Sequence, residues 1–95
     1  MTREEFVAKA KELGYVLSFD SDGDLQNCMS TSESDFARVL VNYDIFKKRT
    51  TSFSVSVSGC KVETIDEVDA YMSDLENAKK FIGLAKVFLN KGDEI

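Results

Sequence analysis

The run TTSFSVSV, Thr50 to Val57, constrains this chain more than any other part of it. Phe53, Val55 and Val57 alternate with Ser52, Ser54 and Ser56, a period of two that fits the pleat of a strand and no face of a helix. One side of that strand is expected to be buried and the other to be a row of hydroxyls facing water. The apolar parity changes at Gly59, after which Cys60 and Val62 carry the pattern, so a bulge or bend at the glycine is expected to restore the inward face. A row of small side chains is an ordinary solvent face, and it would also let another surface approach closely.

A strand with one apolar face needs partners, and the preceding sequence supplies them. Residues 36–43 fit either a helix, through Phe36, Val39, Leu40 and Tyr43, or a strand, through Ala37, Val39, Val41 and Tyr43. The β-branched content of ARVLVNY favours the strand. Tyr15, Leu17 and Phe19 alternate with Val16, Ser18 and Asp20 as a first strand, and residues 24–31 return as a second. Thr2 and Glu5 form a capping box ahead of Phe6, Val7, Ala10 and Leu13 at helical spacing, and Gly14 ends that helix. In the last third, Val68, Met72, Leu75, Ala78, Ile82, Ala85 and Leu89 trace an apolar helical stripe that Phe81, Leu84 and Phe88 widen. Thr64 with Glu67 and Ser73 with Glu76 are competing capping boxes, which leaves one helix or two, and Asn90 with Gly92 would cap its end. The expectation is a single domain over residues 1–95 of the α+β class. It is an antiparallel β-meander of three to four strands with an N-terminal helix and a C-terminal helix, or helix pair, packed on it.

The stretch FDSDGDLQNCMST raises the question of calcium, because Asp20, Asp22 and Asp24 alternate as in an EF-hand loop. Counted from Asp20, however, the glycine position is Leu25 and the closing bidentate acid is Thr31, so the motif fails where it is most demanding. Asp22-Gly23 reads instead as a hairpin turn of type I′. With no histidine in the chain, Ser-His-Asp and Cys-His pairs are excluded, and Cys28 and Cys60 are too few for a structural zinc site. The five glycines stand singly, with no phosphate-binding loop among them. The expectation is a protein that is not an enzyme, with no cofactor and no metal site. The N-terminus has an acidic pair and helical periodicity where a leader would need a basic then an apolar segment, and the chain reads as cytoplasmic, with both cysteines reduced.

Charge is what remains. The net charge is −5, and Glu63, Asp66, Glu67, Asp69, Asp74 and Glu76 follow one another without a basic residue between Glu63 and Glu76. Such a field disfavours nucleic acid and suits a basic protein surface, including a groove that normally holds nucleic acid. These six residues are the candidate partner-binding site. The Lys47-Lys48-Arg49 corner reads as a loop kept soluble by its charge.

The capped EEFVAKAKELGY helix, the hairpins and the acidic-to-amphipathic C-terminal helix together resemble small early proteins of bacteriophages, including anti-CRISPR inhibitors. The resemblance implies a phage or mobile-element protein that binds and modulates a host protein, a nuclease among the candidates, in the cytoplasm of a bacterial host. With no long apolar run in the sequence and an acidic field, no membrane and no direct nucleic-acid contact are expected. The alternative is a homo-oligomeric interaction or assembly module, in its simplest form a homodimer built through the serine face or a strand edge.

Overall fold

A computed structural model describes residues 1–31, 36–57 and 62–89 and shows an α+β fold. Its elements are α1 (Arg3–Glu12), β1 (Tyr15–Phe19), β2 (Leu25–Ser30), β3 (Ala37–Asp44), β4 (Arg49–Val57) and α2 (Ile65–Leu89). Residues 36–43 are therefore mainly strand, as their β-branched content demanded. The strands form two antiparallel hairpins, β1 with β2 and β3 with β4. No backbone ladder joins β2 to β3, so the meander is divided into two sheets, although the Cys28 thiol donates to the Val39 carbonyl across the junction at 3.5 Å. The Thr50 hydroxyl also donates to the Leu25 carbonyl, tying the start of β4 to the start of β2.

Local chemistry explains most of the boundaries. The Glu5 amide donates to the Thr2 hydroxyl at 3.1 Å, closing the capping box of α1, and Gly14 ends the helix at φ +92°. In the first hairpin the Asp20 carbonyl accepts from the Gly23 amide at 3.1 Å, and Gly23 lies at φ +88°. Lys48 is the non-glycine residue with positive φ among those described, so Asp22 lacks the left-handed backbone that a type I′ turn needs. The turn is a three-residue loop with Gly23 in the left-handed position. Its Asp20 carboxylate accepts from the Asp22 and Asp24 amides, each at 2.9 Å. At the second hairpin the Asp44 carboxylate does the same work, accepting from the amides of Phe46 at 2.9 Å and Lys47 at 3.0 Å.

α2 is one helix, not two. The Thr64 hydroxyl accepts from the Glu67 amide at 3.1 Å while the Glu67 carboxylate accepts from the Thr64 amide at 3.2 Å, so that capping box starts the helix. Ser73 and Glu76 lie inside it. The expected cap at Asn90 and Gly92 and the expected bulge at Gly59 and Cys60 lie outside the described residues.

The core sits where α1, the first hairpin and the second half of α2 meet. Phe6, Tyr15, Leu25, Phe81 and Phe88 are buried there, with Ala78 and Ala85 letting α2 approach closely. The rings are stacked: Phe6 lies 4.6 Å from Phe88 and Tyr15 lies 4.5 Å from Phe81 between centroids. The buried residues of α2 are Asp74, Ala78, Phe81, Ala85 and Phe88, a stripe turned toward the aromatic side of the expected one. Val68 and Met72, which were expected in that stripe, are exposed.

Candidate functional site

The six acidic residues do not form one surface. Glu63, Asp66, Asp69 and Glu76 are exposed. Glu67 is half-buried and spends its carboxylate on the Thr64 cap, its Oε1 accepting from the Thr64 hydroxyl at 3.0 Å as well as from the amide. Asp74 contradicts the expectation outright, being 7% exposed with its Oδ2 accepting from the Phe36 amide at 2.8 Å. Phe36 precedes the first ladder pair of β3, so its amide has no ladder partner among the described residues, and a carboxylate from the helix satisfies it. Tyr71, one turn earlier, places its ring 5.7 Å from that of Phe36. Asp74 is thus a structural clasp between α2 and the entry to β3.

What the acids do share is a helix end that stands clear of the core. From Ile65 to Ser73 no side chain of α2 is buried, and three apolar ones, Ile65, Val68 and Met72, lie exposed beside Asp66 and Asp69. Spacings of three, four and seven residues put Ile65, Val68 and Met72 along one side of the helix, with Asp69 and Glu76 bordering it. Exposed apolar side chains bordered by carboxylates thus line one side of this helix end. The sequence pattern concealed this strip because the same residues also fit a continuous core stripe.

The first hairpin's acids have other duties. Asp20 is the organiser of its turn, and its second carboxylate oxygen accepts from the Tyr43 hydroxyl at 2.5 Å, linking the two hairpins. That hydrogen bond, with the Asp24 amide behind it, holds the Asp20 carboxyl below its ordinary range, and the same bond pushes the Tyr43 phenol up to about 12. Among the described residues no group of three or more acid or thiol side chains is arranged to hold a metal ion. Cys28 is a free thiol that burial pushes up to about 11. Cys60, the other cysteine expected to be reduced, lies outside the described residues.

The serine face points where the alternation placed it. Ser52, Ser54 and Ser56 are exposed, and the Asn42 amide donates to the Ser52 and Ser54 hydroxyls at 2.9 and 3.0 Å. The opposite face departs from expectation in degree. Phe53 is half-buried, but Val55 and Val57 are 41% and 46% exposed, although both lie on the side facing α2, opposite Val39 and Ala37. α2 packs over β3 and leaves β4 uncovered, so β4 and α2 form the walls of an open apolar groove. Two further exposed apolar residues, Ile45 and Phe46, stand at the tip of the second hairpin beside the basic corner. Sequence reasoning took that corner as a charged loop and missed Phe46, for which a large ring inside a turn was the available signal.

No protein-family model, no curated protein and no solved structure matches this chain. Among the described residues no helix is long and apolar enough to cross a membrane. The class the geometry defines is a small α+β domain with an exposed acidic and apolar helix end.

Proposed function

We propose that this chain is a non-enzymatic protein-binding module that presents the start of α2 to a basic surface on a partner. The observation that carries the reading is the Ile65–Ser73 segment, which contributes no buried side chain yet keeps Ile65, Val68 and Met72 in water beside Asp66 and Asp69. A helix that served only its own core would have little reason to continue with apolar residues for roughly two turns beyond it. Carboxylates steer an encounter and set its orientation, while apolar side chains contribute the close contact that slows dissociation. The resemblance to small phage proteins and anti-CRISPR inhibitors makes the partner a host protein in the bacterial cytoplasm, with a nuclease groove as one basic surface of the right kind.

The test is capture of partners from bacterial lysate on immobilised protein, followed by binding kinetics of the purified partner with Met72→Asp and Val68→Asp variants. Both positions are exposed, so the fold should tolerate them, and each should accelerate dissociation. Partner dissociation unchanged by both substitutions would place the contact elsewhere. The second reading, a homo-oligomeric assembly module, rests on the exposed row of Ser52, Ser54 and Ser56, whose small side chains would let a second copy approach closely. Light scattering on purified protein separates the two.

A further inference from the structure

The trough between β4 and α2 is explained neither by the core nor by the acidic helix end. Its apolar part, about 660 Å³, lies between Val55 and Val57 of β4 and Leu75, Ala78 and Ile82 of α2. Lys86 also lines an adjoining, more polar cavity of about 570 Å³ along Arg49–Phe53. Three independent features converge on it. The strand edge that overlooks it has no partner among the described strands, so alternate amides and carbonyls of β4 point outward with no ladder among the described residues. Gly83 lines it in the interior of a 25-residue helix, where glycine is costly, yet a Cβ built there would meet nothing within 4 Å. No packing among the described residues accounts for that glycine, whereas a main chain passing close by would. In a chain of net charge −5 the trough also carries Lys79, Lys86 and Arg49 against one acid, Asp24. None of those three cations has an ion-pair partner among the described residues.

We propose that this trough receives an extended segment of a partner protein, which adds as a strand to the outer edge of β4. Its alternate side chains are apolar and enter the groove against Val55, Val57 and Ile82, and carboxylates among them meet Lys79, Lys86 and Arg49. Main-chain hydrogen bonds supply affinity in this mode, and the side-chain pockets supply selectivity. A second copy of the chain is the poorer occupant, since pairing β4 with β4 would bring like cations toward one seam and oppose two chains of the same net charge. This surface is separate from the helix end of the proposed function, and each stands or falls without the other.

The experiment uses the full chain, ¹⁵N-labelled, titrated with a fluorescein-labelled synthetic peptide that alternates valine with glutamate and threonine. Two matched peptides serve as controls, one with lysine for glutamate and one with alternate amides N-methylated. The acidic peptide should saturate, shifting the amides of Thr51–Val57 and Leu75–Lys86, and the lysine peptide should bind at least about tenfold more weakly. N-methylation of the bonding edge should abolish binding. The Lys79→Glu, Lys86→Glu double variant should invert the preference between the charged peptides, and Gly83→Leu should remain folded, as the open space allows, but lose affinity by about tenfold. The proposal is overturned if the acidic peptide shows no saturable binding below about 1 mM, if shifts fall elsewhere, or if Gly83→Leu and the double reversal leave affinity unchanged. A dimer in sedimentation equilibrium that Gly83→Leu dissociates would overturn it too, by making a second copy the occupant.

Discussion

Replacing Asp74 by alanine separates a structural carboxylate from a surface one. Its side chain is 7% exposed and accepts from the Phe36 amide at 2.8 Å, so the substitution removes an ionised acceptor and strands a backbone donor at the entry to β3. A hydrogen bond to a charged group contributes about 1.5–3 kcal/mol, and an unsatisfied buried donor costs about 1–3 kcal/mol, two views of largely the same loss. The expected destabilisation is therefore about 2–3 kcal/mol. With a urea m-value of roughly 1–1.5 kcal/mol/M for a chain of this size, the unfolding midpoint should fall by about 1.3–3 M. Asp74→Asn keeps the shape and one acceptor oxygen and should lose roughly half as much. Amide exchange adds a local readout, because the Phe36 amide should lose protection in the alanine variant before the core of β3 does. An exposed acid of the kind first expected at this position would change stability by no more than about 0.5 kcal/mol. A shift that small, with Phe36 still protected, would refute the clasp and return Asp74 to the surface.

Gly83→Ala should stabilise the isolated chain by roughly 0.5–1 kcal/mol, because the helix gains a better former and the added methyl meets open space; a loss in thermal melts would show that the position is crowded. Because the Asp20 carboxyl is lowered from 3.8 in the fold, its contribution to stability is present above that ordinary value and lost as pH falls through the lower folded one. Tyr43, raised from 10.0 to about 12, contributes stability that is full below 10.0 and lost as pH rises through about 12, and ultraviolet titration should show one tyrosine ionising late, a feature that Asp20→Asn removes. In a Cys60→Ser background, Cys28 should alkylate at pH 8 about a hundredfold more slowly in the folded than in the unfolded chain, since its thiol stands at about 11 instead of 9.0; equal rates would mean the thiol is open to water.

The elements with strong local signals were legible. Thr2 with Glu5, Gly14 and the alternation from Ser52 to Val57 each specify a boundary or a face through neighbours only a few residues away, and the fold uses them as read. Two kinds of information were not local. The depth to which a face is buried depends on what lies over it, and Val55 and Val57 remain half in water because α2 settles on β3. The role of an acid depends on its long-range partner, and nothing near Asp74 in sequence reveals that Phe36, 38 residues away, needs an acceptor. The choice between two capping boxes belongs to the same category. Ser73 and Glu76 carry the same pattern as Thr64 and Glu67, but the aromatic packing of Phe81 and Phe88 and the Asp74 clasp hold the helix continuous through them. The proposed partner-binding site was legible as a charged region and only in part as a surface. Asp66, Asp69 and Glu76 stay exposed, Glu67 belongs to a cap, and the exposed Ile65, Val68 and Met72 join them in the proposal.

The measurement closest to the central claim is the association rate of a captured and purified partner as a function of salt, for the natural chain and two charge-reversed variants. One variant carries lysine at Asp66, Asp69 and Glu76, the exposed acids of α2 outside its cap, and the other carries lysine at Glu4, Glu12 and Asp22, exposed acids elsewhere. Screening shortens the reach of charge from about 10 Å at 0.1 M to about 3 Å at 1 M, so association of the natural chain should slow steeply over that range. The α2 variant should associate at least about tenfold more slowly at low salt and lose most of its salt dependence, while the control behaves like the natural chain. Equal rates and equal salt slopes for the two variants would contradict the account, because the acidic start of α2 would then be no more to the partner than any other charged face.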